Sequence, residues 1–471
     1  MKEYSLKELS KGLNAGEWTS RDLVKMYLDE IDRIDKSGPK LNAISEINPD
    51  AYKLADLLDK ERSDSGPRSI LHGIPIVIKD NINTNDQMHT TASSYALKDF
   101  YAPKDAFIVN KLREAGMIIL AKTNLSEFAY FMSDENMPSG YGSLNGQVKS
   151  PYSNKIDPLG SSTGSAVAVA SNLIPVSIGT ETNGSLMAPA QNNSIVSIKP
   201  TLGLVSRTGI IPISHLQDTA GPMARTVEDV AILLEFLVGK DPEDKQTKKT
   251  PKKSYKFSKS YKKATNDLTI AFLKFSNVKY SKEEVAIFEE ARDLLKPKVA
   301  KIVSIELELP DMLNHKTLIY DFKYNLNKYF DTNKKDIKIK SLKELIKFNI
   351  KNKERCLKYG QSIFEAAEKT QGTLTEKEYL SERTQIERQA NKFTALMEDN
   401  NIDVIVTSRR TSHAPVAGNP VITVPAKALT DDKPISLFFV SKKFDDELCI
   451  RVSYQYEQLT KYRLSPNFET R

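Results

Sequence analysis

Gly160–Ser185 reads GSSTGSAVAVASNLIPVSIGTETNGS, and small or hydroxylic residues dominate the whole of Ser150–Pro200, where an ordinary core would carry bulky apolar ones. The opening Gly160-Ser161-Ser162-Thr163-Gly164-Ser165 is followed by Ala166-Val167-Ala168-Val169-Ala170, the pattern of a tight turn feeding a buried helix. Pro175-Val176-Ser177-Ile178-Gly179 is a short β-branched run suited to a buried strand. That strand runs out into Thr180-Glu181-Thr182-Asn183-Gly184-Ser185, a second turn with a flexible backbone and a serine at its end. Upstream, Ala106–Ala115 read as a helix and Met117–Ala121 as a strand give the alternation expected of an α/β sheet with helices on both faces.

A hydroxyl on a sharp strand-end turn can attack a carbonyl while neighbouring backbone N–H groups converge on the developing oxyanion, which requires small residues with access to positive φ. Asn183 and Gly184 are the residue types most tolerant of that conformation. The plain alternative is a turn that contains Gly and Ser because turns use them. A nucleophilic serine also needs a base. The five histidines, at 72, 89, 215, 315 and 413, show no spacing that pairs one with Ser185. A lysine can serve if burial lowers its pKa toward neutrality. Lys79 ends Gly73-Ile74-Pro75-Ile76-Val77-Ile78-Lys79, in which five of the six preceding residues are apolar, so its side chain starts from a desolvated strand. The ordinary alternative is a strand-end lysine that reaches solvent.

Taken together, these segments resemble the amidase signature family. Ser161 and Ser185 are 24 positions apart, the spacing that family uses between its two catalytic serines. The likeness continues through KTNLSEFA at 122–129, KPTLG at 199–203, DTAGPMART at 218–226 and GNPVITVP at 418–425. Ser139-Gly140-Tyr141, Gly146-Gln147, Thr180–Ser185, the segment from Ser341 to Asn349 and Gly360-Gln361 look most like its peptide amidase branch. The resemblance implies a large mixed twisted sheet covered by helices on both faces. It also implies a Ser-Ser-Lys triad: Ser185 as nucleophile, Ser161 as bridging hydroxyl held by a cis peptide bond, and Lys79 as base. The backbone N–H groups of Thr182, Asn183, Gly184 and Ser185 would hold the oxyanion, and Tyr130 and Phe131 would line the acyl pocket, although two aromatics that follow a helix are more often core. Glu181, Asp80 and Arg225 read as supports. No metal and no organic cofactor is implied. Four positions depart from the common pattern: Leu159, Thr163 and Asn183 replace glycines, and Met187 stands where many members, including the glutaminase components of aminoacyl-tRNA amidotransferases, carry an arginine.

The expected activity is hydrolysis of a carboxamide, either a non-peptide amide or a C-terminal peptide amide, to a carboxylate and ammonia or an amine. The alternatives are the glutaminase (A) component of a tRNA-dependent amidotransferase, against which Met187 argues, and a non-catalytic nucleic-acid-binding protein. The last rests on residues 240–263, where ten lysines face three acids and supply a charge of +7, equal to the formal net charge of the whole chain. A charge run with interleaved Tyr255, Phe257 and Tyr261 fits an anionic surface, but a solvated loop is the commoner use, so a nucleic-acid partner is not expected.

With 39% apolar and 27% charged residues the chain has a globular composition. It is read as one domain: N-terminal helices over 1–64, a catalytic core over 65–239, the lysine-rich connection at 240–263, a mostly helical substrate-side region over 264–400, and a return to the sheet over 401–471. Thr19 or Ser20 caps a helix whose apolar positions run to Ile34; further helices are expected over 51–58, 106–115 and 282–295, and after a cap at Ser341. Strands are expected at 117–121, 268–272, 403–407 and 421–424. Cys356 and Cys449 give neither a disulfide framework nor a metal spacing. No run of about 18 apolar residues predicts a membrane span, and the first residues do not lead into a secretory signal. The expectation is a cytoplasmic monomer or homodimer that acts on a small-molecule or peptide amide.

Overall fold

Apolar residues that alternate along each strand give one sheet two hydrophobic faces. The computed structural model describes residues 1–308, 315–429 and 433–468. The rest of the segments 264–400 and 401–471, at 309–314, 430–432 and 469–471, lies outside the described residues. In chain order the strands are β1 (Ile44–Ile47), β2 (Pro75–Lys79), β3 (Ile118–Thr123), β4 (Tyr141–Gly142), β5 (Gly146–Gln147), β6 (Val176–Glu181), β7 (Val196–Lys199), β8 (Thr219–Ala224), β9 (Thr269–Phe275), β10 (Lys301–Leu307), β11 (Val404–Thr407), β12 (Val421–Pro425) and β13 (Ser436–Ser441). All but the β4–β5 pair join one 11-stranded sheet, ordered β1-β3-β2-β6-β8-β7-β12-β13-β11-β9-β10. The neighbours β3, β2 and β6 are parallel, as are β11, β9 and β10, while the strands between these two blocks pair antiparallel.

Period-two alternation sorts the core. Ile76, Ile78, Ile178, Ile198, Ile270 and Phe439 point to one face, where they meet the helices Leu6–Ala15, Phe107–Glu114, Val227–Leu237, Lys282–Leu295 and Asp446–Thr460. Val77, Ala121, Ala271, Leu273, Ile405 and Phe438 point to the other, against Ser20–Glu30, Ala51–Ser65, Thr163–Ala170 and Lys377–Asp399. The mixed sheet with helices on both faces is therefore present. A third, aromatic-rich cluster joins Phe128 and Phe131 to the helices His315–Thr332, Leu342–Lys351 and Ser362–Glu368.

Local chemistry explains the element ends. Thr19 caps its helix by accepting from the Asp22 N–H, and Ser341 does the same with Glu344. The expected run to Ile34 is present, with its last turns widened into a π-helix over Ile31–Ser37. The helix Thr163–Ala170 is buried on every side, and its small residues let backbones approach: a Cβ on Gly164 would lie 2.4 Å from Ala43 O and 2.5 Å from Asn124 O.

Two segments differ from the sequence reading. Residues 301–307, for which the sequence pattern predicts no element, form the edge strand β10, half-exposed with a lysine at its start. The lysine-rich tract is tied down along its length. Its lysines are exposed, but Asp244 takes a bidentate pair from Arg207, Asp241 accepts from Ser206, Thr250 donates to Gly203 O, and Phe257 and Tyr261 are buried. Polar residues hidden between exposed lysines do not show in a charge count.

Candidate active site

The parallel register Val77↔Ser177 and Ile78↔Ile178 brings the carboxyl ends of β2 and β6 to the same edge of the sheet, the position at which open α/β sheets place their chemistry. Lys79 is the last residue of β2 and is fully buried. Its Nζ lies 2.8 Å from Ser161 Oγ, 2.9 Å from Ser162 Oγ, 2.9 Å from Thr180 Oγ1 and 3.3 Å from Thr180 O. Burial lowers its pKa from 10.5 to about 7, against the opposing pull of the Glu181 and Asp218 carboxylates. The amine is therefore available as a base near neutral pH.

The hydroxyls around it are not equivalent. Ser162 Oγ donates to Thr180 O at 3.0 Å and accepts from Thr180 N at 3.1 Å, so its proton is committed away from the amine. Asn81 Nδ2 donates to Thr180 Oγ1 at 3.0 Å. Ser161 Oγ has no acceptor other than the amine among the described residues, which leaves its proton free to point at the lysine lone pair. The Gly160–Ser161 peptide is cis. Leu159, in a position where the resemblance leads one to expect glycine, has φ 54°, a left-handed conformation for which glycine is the easy choice.

The second turn meets the first through a backbone bond: Ser162 N donates to Ser185 O at 3.2 Å. Ser185 is half-buried. Around it the main chain is fixed by side chains. Thr182 Oγ1 donates to Asp218 Oδ1 at 2.6 Å, and Gln217 Nε2 donates to Thr182 O at 3.2 Å. Glu181, 2% exposed, accepts from the N–H groups of Leu186 and Met187 at 2.8 and 3.1 Å through one oxygen, a capping role. Among the described residues, the N–H groups of Gly184 and Ser185 have no internal acceptor, so they are free to bind an oxyanion. Only Gly184 of the predicted pair has positive φ, at 83°. Asn183 remains outside the left-handed region and instead donates from Nδ2 to Ser412 Oγ at 3.0 Å.

Two cavities flank this turn. One of about 700 Å³ reaches Asn81, Thr180, Glu181 and Thr182 and extends past Asp218, His215 and Tyr329. The other, of about 330 Å³, is bordered by Glu181, Asn183, Gly184, Met187 and the loop from Arg409 to Ser412. The structure brings Lys79 and Ser161 into contact, joins the Ser185 turn to the first turn through Ser162 N, and sets Thr182, Asn183 and Gly184 at the cavity walls, but neither Tyr130 nor Phe131 borders either cavity. Phe128, Ala129 and Tyr130 all have positive φ, and this reversal leaves Ala129 at the wall of the large cavity. Phe131 packs into the aromatic cluster, 5.0 Å from Phe322 between ring centroids, and Tyr130 Oη donates to Met137 O. Asp80 accepts from Thr91, and Arg225 donates to the carbonyls of Ile174 and Tyr4 at 3.0 and 2.7 Å, both as supports. Ser162, Thr180 and Asn81 are the contacts that sequence reasoning missed. Ser162 and Asn81 stand next to named residues, but only the pairing of β2 with β6 brings Thr180 to the amine. Among the described residues, no group of three or more His, Cys, Asp or Glu side chains is placed to hold a metal ion, and no helix is long and apolar enough to cross a membrane.

The amidase family matches residues 22–415 of this chain. A probable amidase of Arabidopsis thaliana is 35% identical over 99% of this chain and 92% of its own length. The A component of the glutamyl-tRNA(Gln) amidotransferase of Legionella pneumophila (strain Corby) is 31% identical over 99% of both chains. The crystal structure of the native peptide amidase from Stenotrophomonas maltophilia superposes with a TM-score of 0.92 at 38% identity, covering 99% of each chain. A buried lysine against a cis-linked serine, facing a second serine turn, thus sits within a chain that belongs to the amidase signature family and is an amide-hydrolysing enzyme.

Proposed function

We propose that this enzyme hydrolyses a carboxamide, with C-terminally amidated peptides among its substrates, through an acyl-enzyme on Ser185. The observation that carries the reading is the 2.8 Å contact between a fully buried Lys79 amine and Ser161, whose proton has no competing acceptor among the described residues. Neutral Lys79 accepts the Ser161 proton as Ser161 accepts that of Ser185, and Ser185 Oγ adds to the amide carbon. The N–H groups of Thr182, Asn183, Gly184 and Ser185 stabilise the oxyanion. Ser161 then protonates the departing nitrogen and is reprotonated by the Lys79 ammonium. Water repeats the sequence on the ester, which releases the carboxylate and restores Ser185. The hydroxyl relay is needed twice, because an amine leaves poorly without a proton.

Similarity to the Stenotrophomonas enzyme supports a peptide amide as one substrate class, and the 700 Å³ cavity has the size of a small-molecule site. The two thiols, Cys356 and Cys449, are unpaired and buried, in keeping with a cytoplasmic protein. The test is ammonia release from C-terminally amidated peptides, glutamine, and small aliphatic and aromatic amides, with Ser185→Ala beside the wild type. Turnover that disappears in the variant supports the reading. Turnover that survives it, or glutamine as the one substrate used, overturns it, the latter in favour of the glutaminase alternative.

A further inference from the structure

Arg410 follows β11 and stands beside the nucleophile turn: its Nη1 is 3.2 Å from where a Cβ on Gly184 would lie. It borders the 330 Å³ cavity together with Asn183, Gly184, Met187 and Ser412. The loop that carries it is fixed to the turn itself, because Asn183 Nδ2 donates to Ser412 Oγ at 3.0 Å. Its neighbour Arg409 is engaged, 2.7 Å from Glu284 and 5.1 Å from the Tyr280 ring centroid. Arg410 has no hydrogen-bond or ion-pair partner among the described residues and stays open to solvent on one side. A guanidinium presents five N–H donors and cannot shed its charge, so one left unpaired at a cavity mouth is prepared for an anion.

Among the described residues the carboxylate that acts on it is Glu181, which opposes the pKa-lowering effect of burial. Glu181 does not neutralise the site. One of its oxygens is held by the N–H groups of Leu186 and Met187, and its charge is shared with buried Lys199 on the other side. The cavity thus pairs a free cation with the oxyanion turn only a few atoms away.

We propose that Arg410 is an anion-recognition residue of this active site, and that the preferred amides carry a carboxylate a short distance from the scissile carbonyl. The inference rests on the amidase reading above, because it places the ligand's second group relative to the carbonyl attacked by Ser185. Fork-to-fork binding of a carboxylate by a guanidinium fixes both direction and distance, and a charge-assisted pair of this kind changes affinity by about 10- to 100-fold. A neutral acyl group in the same cavity would leave Arg410 with water as its partner.

Calorimetric titration into the Ser185→Ala protein reads recognition without turnover. Succinamate, glutaramate and adipamate are each compared with the uncharged amide of the same chain length: butyramide, pentanamide and hexanamide. At least one carboxylate is expected to bind about tenfold or more tightly than its counterpart, and the chain length that does so gives the distance from turn to guanidinium. Arg410→Gln should abolish the preference, Arg410→Lys should keep part of it, and Arg409→Gln should keep it whole. Equal binding within all three pairs, or a preference that survives Arg410→Gln, overturns the proposal. Failure of the amidase reading shows elsewhere, as the absence of Ser185-dependent ammonia release from these amides by the otherwise unchanged enzyme, whereas the binding comparison stands or falls on its own.

Discussion

Replacing Lys79 by methionine tests the burial of the amine without recourse to catalysis. In the unfolded chain the lysine titrates near 10.5, and burial brings it to about 7 in the folded protein. Between those values the unfolded state binds a proton that the folded state does not, so wild-type stability rises with pH across that window. Below about pH 7 the full cost of burying the charged amine is present, and above about 10.5 it is gone. The gap from 10.5 to about 7 corresponds to about 5 kcal/mol, at about 1.4 kcal/mol per pH unit. Methionine fills a similar volume and carries no proton, so the variant escapes this cost. It also removes the amine from Ser161, Ser162 and Thr180, a loss of about 1–3 kcal/mol per orphaned group that does not depend on pH. The stability of Lys79→Met relative to wild type should therefore improve by about 5 kcal/mol as pH falls from above about 10 to about 6.5, whatever its value at high pH. Urea unfolding of both proteins across that range measures it, and titrations elsewhere cancel in the difference. A difference that stays flat with pH would mean that the amine is charged in the folded protein, and the proposed base would be lost.

Three further outcomes follow from the same contacts. The kcat/KM of a good amide substrate should rise with pH through an apparent pKa near 7, that of Lys79, and Thr180→Val should move it down by about one unit or more, since an acceptor of the ammonium is removed; an upward shift would contradict the site electrostatics. Ser161→Ala should lower kcat by at least about 100-fold, the usual weight of a positioned acid–base group, in a protein that still folds, and a loss below tenfold would remove Ser161 from the relay. Gly164→Ala should destabilise the protein by about 2 kcal/mol or more through overpacking, because its Cβ would meet two backbone oxygens at 2.4 and 2.5 Å; an unchanged melting temperature would show that the buried helix has room to shift.

Much of this site was legible in the sequence for identifiable reasons. An apolar strand ending in Lys79 announces a desolvated amine, and two small-residue turns around a β-branched run announce serines at a strand end. The caps at Thr19 and Ser341 were readable because an N-cap is a local event. What stayed hidden depends on residues distant in sequence. That Thr180 approaches Lys79 follows from the register of β2 with β6, and that Ser162 spends its proton on Thr180 O follows from the fold of the first turn. Arg410, at the end of a strand more than two hundred residues after Ser185, carries no local mark of its place beside Gly184. Phe131 had two readings in the sequence, a pocket wall suggested by the neighbouring motif and a core position suggested by its aromatic character; three successive positive φ angles precede it and it packs in the core.

The central claim is covalent: the acyl group passes through Ser185. Rapid acid quenching of the enzyme with an amide or ester that acylates faster than it is hydrolysed, followed by mass spectrometry of the peptides, tests it most directly. The account predicts the mass of the acyl group on the peptide that contains Ser185, none in Ser185→Ala, and accumulation that slows as the pH falls below about 7. An adduct on any other residue, or wild-type turnover with no adduct while Ser185→Ala remains active, would contradict it.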